Sequence, residues 1–142
     1  MFKEILLPLD LGNAETQTGA VETAVNLATS NKAQLHIMTV VPDFGLSIVG
    51  SFFPEGYEKQ AMDEASKKLK DFVKAKVPKG VAVQHVVGHG TIYEEILRAA
   101  EQLNCDLIVM ASHRPELQDY LLGPNAARVA RHAACSVMIV RE

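Results

Sequence analysis

Two groups of residues have the types and spacing to do chemistry. The first is Pro8-Leu9-Asp10, which closes the apolar run E-I-L-L-P-L-D and is followed by Gly12-Asn13. The second spans residues 107–129. It starts apolar, Leu107-Ile108-Val109-Met110-Ala111, and turns polar at Ser112-His113-Arg114-Pro115. It ends with Gly123-Pro124-Asn125 leading into an Ala-rich segment. A strand, a polar loop and a helix that begins with Gly can hold phosphate, because free backbone N–H groups and the positive end of the helix dipole meet there. A carboxylate at the tip of a neighbouring strand can accept from an adenine amino group or a ribose hydroxyl. Asp10 and Gly123 together therefore outline a nucleotide site. Asp10 beside Gly12-Asn13 can equally cap the first helix, and bare chemistry leaves both readings open.

Other polar residues carry weaker signals. His36, His85, His89, His113 and His132 show no H-x-x-x-H spacing, so no metal site is expected. His113 reads as a loop-ordering residue or a phosphate neighbour, and His132 as a cation at a helix C-terminus. Ser112 lacks a G-x-S-x-G context. Without a placed general base beyond His113, no catalytic residue is assigned. Gly88-His89-Gly90 reads as a turn. Residues 42–56 hold three Gly, two Pro and three Phe, a loop that covers the base, meets a partner or folds onto its own core.

The elements that would position these groups alternate. Strands are expected over residues 4–10, 33–41, 81–87, 107–111 and 136–141. Between them lie helical spacings: Ala20, Val21, Ala24, Val25 and Ala28; then Tyr57, Ala61, Ala65, Leu69 and Phe72; then Ile92, Ile96, Ala99, Ala100 and Leu103; then about residues 124–132. Pro8 should end its strand. Pro78 to Gly80 should stop the second helix, and Thr91 with Glu94 matches a capping box. The third strand alternates, as an edge strand does. Strands alternating with helices imply parallel pairing through right-handed crossovers. The expected fold is α/β, a three-layer doubly wound, Rossmann-like sandwich in one domain over residues 1–142. Ligands in such sheets sit at the carboxyl ends of the strands.

The bulk numbers agree. The 142 residues suit one domain. A net charge of −3 and a pI of 5.9 argue against nucleic acid. Apolar runs are too short to span a membrane, which takes about 20 residues. No secretory signal is visible in the first residues, so a cytoplasmic location is expected. Cys105 and Cys135 each precede a core strand and read as buried thiols rather than a disulfide or metal framework.

The chain resembles the universal stress protein family along its whole length. It carries the opening I-L-L-P-L-D, the strand L-H-I-M-T-V-V-P and the segment from residue 106 to 140. It is similar to a subgroup with an A-S-H-R-P loop, then Y-L-L-G-S-N-A-A and R-H-A-x-C-S-V. Here these read Ala111 to Pro115, Tyr120 to Ala127, and Arg131 to Val137. The resemblance implies a five-stranded parallel sheet in the order 3-2-1-4-5, dimers, and in many members bound ATP. Nucleotide-binding members carry G-x-x-G, nine residues, then G-[S/T]. This chain has Ala111 and Arg114 at the first two glycines, one residue fewer in the loop, and Pro124 at the hydroxyl position. By position, Pro8, Leu9, Asp10 and Val40 would surround adenine and ribose. Met110, Ala111, Arg114, Gly123 and Asn125 would surround ribose and phosphates, with Ser112, Arg114 and Asn125 compensating for the lost groups.

The expected function is regulatory binding of ATP, or of AMP or ADP, with Mg2+ accompanying ATP and hydrolysis slow at most. Two alternatives are a nucleotide-free partner-binding dimer and an ATP-dependent hydrolase or transferase. An apolar last strand at the sheet edge invites pairing, so a homodimer through residues 137–140 is expected.

Overall fold

The computed structural model describes residues 1–42, 56–112 and 123–142. Among these, five strands and four α-helices alternate: β1 (Glu4–Pro8), α1 (Thr18–Asn31), β2 (Gln34–Pro42), α2 (Tyr57–Lys76), β3 (Val83–Gly90), α3 (Ile92–Gln102), β4 (Leu107–Ser112), α4 (Gly123–His132) and β5 (Ser136–Arg141). The strands form one parallel sheet in the order β3-β2-β1-β4-β5. Right-handed crossovers then put α1 and α2 on one face and α3 and α4 on the other. Accordingly, α3 touches α4, while α1 lies over β1 and β4 and α2 over β2 and β3.

The core is where the apolar runs are unbroken. Ile5, Leu6, Leu7, Leu35, Ile37, Ile108, Val109 and Met110 are all at most 1% exposed. Strands covered on both faces need apolar residues at every position, which is why these segments do not alternate. Each such side chain contributes about 1.5–3 kcal/mol on burial. The helices present the expected stripes, Ala20, Val21, Ala24 and Ala28 on α1 and Ile96, Ala99 and Ala100 on α3. Pro8 is the last residue of β1 and Pro42 the last of β2. Val77 is the C-cap of α2, one residue before Pro78.

Two local expectations are corrected. Residues 88–90 are not a turn: β3 runs on through Gly90, in register with β2 to the pair Pro42 and Gly90. The sheet wins because Gly88 lets the strand lie against Met38, whose Cε would sit 2.8 Å from an added Cβ. Gly90 closes the strand at φ +138°, a conformation open to glycine. The capping box is absent: Thr91 is the N-cap of α3 but makes no side-chain cap bond, and Glu94 accepts instead from the Tyr93 hydroxyl at 3.3 Å. The first helix is preceded by a 3-10 segment, Leu11–Gln17, with a kink at Asn13.

That segment leaves α1 without a local cap, since Gln17 makes no side-chain cap bond. The cap comes from β5: the Glu142 carboxylate accepts from Gly19 N at 2.9 Å and Ala20 N at 3.0 Å. An anion at a helix N-terminus is favourable through both hydrogen bonding and the dipole. Replacing Glu142 with Ala should lower stability by about 1 kcal/mol, read as a shift of the urea midpoint with unchanged slope. Gly90→Ala should lower it by about 1–3 kcal/mol through backbone strain. Gly80→Ala, where an added Cβ meets nothing within 4 Å, should leave it unchanged or slightly raised.

Candidate functional site

A cleft of about 90 Å3 opens at the carboxyl ends of β1 and β2, lined by Pro8, Leu9, Asp10, Met38, Thr39, Val40, Pro42, Ile92 and Ile96. Its floor follows from the strand ends. Leu9 N still donates to Met38 O at 2.7 Å, and the chain then leaves the sheet. Its wall is α3, which begins immediately after β3 ends and brings Ile92 and Ile96 over the strand tips. Mostly apolar walls with a few polar groups are the lining that small-ligand sites share.

Asp10 is the acidic group of this cleft, and its carboxylate is held in place. One oxygen accepts from Gly12 N at 3.1 Å and the other from Asn13 Nδ2 at 2.9 Å. It is therefore the cap of the 3-10 segment, one of the two roles the residue type offered. An ionised carboxylate has about four lone-pair sites, so two bonds leave acceptor capacity for a ligand. The backbone of Asp10 is fixed as well. Fully buried Gln17 accepts from Asp10 N at 2.9 Å through Oε1 and donates through Nε2 to Asp10 O at 2.8 Å and Asn13 O at 2.9 Å.

The second half of the site is built by β4 and α4. β4 is the neighbour of β1 on the side away from β2, so the strand order reverses between them. Parallel crossover places the start of α4 at the carboxyl edge of the sheet, the same edge as Asp10. Gly123 is the first residue of α4. Pro124 is exposed and adds no N–H, and Asn125 is buried at 9% exposure. Met110 and Ala111 are buried in β4, at 0% and 1%. Ser112, 9% exposed, ends β4, and its carbonyl accepts from Glu142 N at 3.2 Å. His113 and Arg114 lie outside the described residues, as do Tyr120 to Leu122 and the phenylalanines Phe44, Phe52 and Phe53.

Of the residues named from sequence, Pro8, Leu9, Asp10 and Val40 share one cleft. Met38, Thr39, Pro42, Ile92 and Ile96 line it without having been singled out. The signal for Ile92 and Ile96 was visible, since both fall on the buried stripe of α3. That a core stripe also walls a cleft depends on where α3 starts, which spacing does not give. Gln17 was missed because a polar residue at a helix start reads as solvent-facing. Among the described residues, no group of His, Cys, Asp and Glu could hold a metal ion, and no helix is long and apolar enough to cross a membrane. His36 pairs with Glu4 at 3.1 Å and His89 with Glu58 at 2.9 Å.

Comparison with known proteins agrees with this architecture. Universal stress protein G of Escherichia coli O157:H7 is 29% identical over 143 residues, covering 99% of this chain and 100% of that protein. Universal stress protein MJ0531 of Methanocaldococcus jannaschii is 30% identical over 146 residues, covering 100% of this chain and 84% of that protein. Among solved structures, hypothetical protein MJ0577 superposes with a TM-score of 0.80 at 26% identity, covering 100% of this chain and 97% of that one. A universal stress protein in complex with cAMP shares the fold, with a TM-score of 0.59 at 21% identity and coverage of 99% and 97%. The universal stress protein family model matches residues 1–141, and the chain belongs to that family.

Proposed function

We propose that this chain binds an adenine nucleotide at the carboxyl ends of β1, β2 and β4 and acts as a cytoplasmic regulatory module. The observation that carries the proposal is the cleft itself. It combines apolar walls for a base with one immobilised carboxylate at its rim. Val40 and Pro8 would flank adenine, and Asp10 would accept from the base amino group or the ribose hydroxyls. Phosphates would extend toward Gly123 at the start of α4, where the dipole favours anions. Met110, Ala111 and Ser112 would form the β4 side, with Asn125 toward the phosphates; His113 and Arg114, outside the described residues, are assigned to the phosphates from sequence position alone. A protein of the same fold holds cAMP, which is consistent with an adenine nucleotide here. The ligand is ATP, ADP or AMP, with Mg2+ accompanying ATP.

Binding rather than turnover fits the groups on hand. Among the described residues, Asp10 is the one ionisable side chain in the cleft, and its bonds to Gly12 and Asn13 hold it as an acceptor rather than a mobile base. A specific departure favours a second reading, a nucleotide-free partner-binding protein: Pro124 removes an N–H at the first turn of α4.

The self-association reading rests on β5. It ends the sheet beside β4, and Val137, Met138, Ile139 and Val140 are half-buried apolar residues on that edge. An unpaired apolar edge is a template for a second strand. Two copies would pair β5 antiparallel about a two-fold axis.

Two experiments test these readings. The chain has no Trp and three Tyr, so co-purified nucleotide should dominate absorbance near 260 nm. Asp10→Ala should reduce nucleotide content at least tenfold, about 1.4 kcal/mol or more. Asn13→Ala, which loosens the segment but keeps the carboxylate, should retain it. A clean protein spectrum, with no nucleotide retained after added ATP, ADP or AMP is dialysed away, would favour the nucleotide-free reading. Light scattering at micromolar concentration should give a dimer, and Ile139→Lys should shift it to monomer. A monomeric parent chain would remove the β5 pairing.

A further inference from the structure

The sheet edge opposite the nucleotide cleft carries the two cysteines. Cys105 lies two residues ahead of β4 and Cys135 one residue ahead of β5. These strands pair from their first residues, Leu107 with Ser136. An ideal ladder continued back would put the two Cα atoms about 6 Å apart, from a strand spacing of about 4.8 Å and a rise of about 3.3 Å. Disulfides span Cα separations of about 4.4–6.8 Å. Strict alternation would turn the side chains to opposite faces, but the backbone bends at residues 106, 134 and 135. Both cysteines line one open cavity of about 490 Å3, with Leu97, Ala100, Ala133 and Ala134 beside them and the polar Glu101, Asn104 and His132 also on its wall. Burial, with a further contribution from the neighbouring Cys135 thiol, pushes the Cys105 thiol up to about 12.

We infer that Cys105 and Cys135 form a dithiol site that a small hydroperoxide converts to an intramolecular disulfide. Exposure sets the order of events. Cys135 is half-buried, whereas Cys105 is 8% exposed. The Cys135 thiolate attacks the near oxygen of the hydroperoxide. An S–O bond forms, the O–O bond breaks, and the alcohol (water, for hydrogen peroxide) leaves with a proton. The Cys105 sulfur then attacks the Cys135 sulfenic sulfur. The S–S bond forms, the S–O bond breaks, and water leaves with the Cys105 proton. Two thiols lose two electrons and two protons, and the hydroperoxide is reduced to alcohol and water. Burial raises the Cys135 thiol pKa as well, so thiolate is scarce at neutral pH and the reaction is slow compared with that of an activated thiol. A thiol reductant reverses the bond by exchange.

The test uses the full chain treated with excess hydrogen peroxide, then denatured, alkylated, digested and mapped by mass spectrometry. The expected product is a cross-linked peptide joining Cys105 to Cys135 within one chain, two hydrogens lighter than the sum of its parts. Free thiols should fall from two per chain to none and return with dithiothreitol. Cys105→Ser should halt at an oxidised Cys135, while Cys135→Ser should leave Cys105 reduced over the same exposure. The unsubstituted chain decides the matter even if a variant fails to fold. Two intact thiols, separate over-oxidation without a cross-link, or disulfides only between chains would each overturn the inference.

Discussion

The pairing of β1 with both β2 and β4 is the constraint on which the rest of the molecule depends. β1 enters the chain first but occupies the middle of the sheet, so later strands must be added outward on both sides. Each crossover is right-handed, and the direction of growth reverses once, between β3 and β4. Among the described residues, a cleft remains at the carboxyl ends of the central strands as a result. The apolar residues of β1 and β4 fix this arrangement: Ile5, Leu6, Leu7, Ile108, Val109 and Met110 are fully buried. A one-residue slip would turn every side chain of the strand to the other face. The cleft is thus a by-product of sheet topology, and the core that encloses it also holds its two halves at a fixed spacing.

Within that frame, Asp10 shows how one side chain can be both structural and available. Its carboxylate organises the 3-10 segment through Gly12 and Asn13, while buried Gln17 locks its backbone. A group already immobilised loses little further entropy when a ligand arrives. The capping and ligand-facing readings that sequence chemistry left open are compatible for this reason.

Most of the fold was legible because periodicity is set by burial. The uninterrupted apolar run at residues 107–111 can only be a strand covered on both faces, and the stripe at Ile96, Ala99 and Ala100 can only be a helix with one wet side. What was not legible depended on contacts distant in sequence. Gly88 and Gly90 look like a turn until Met38 is known to lie alongside. Thr91 and Glu94 fit a capping pattern, but Glu94 meets Tyr93 instead. Of the cleft lining, Pro8 to Asp10 could be named in advance because they close an apolar strand, whereas Val40 came from the family resemblance. Ile92 and Ile96 could not, because their place in the cleft wall depends on β3 running three residues further than its own residues suggest.

The Glu142 carboxylate on the amides of Gly19 and Ala20 ties the outermost strand to the first helix across most of the sequence. Gly19 has room for this only because it carries no Cβ, which would lie 2.9 Å from a Glu142 oxygen. The sheet margin and the beginning of α1 therefore belong to one cooperative opening unit rather than to two independently fraying ends. Solvent exchange at those two amides would report on events at the far rim of the sheet. Any contact that steadies β5 from outside would be felt, through a single side chain, at the first turn of α1.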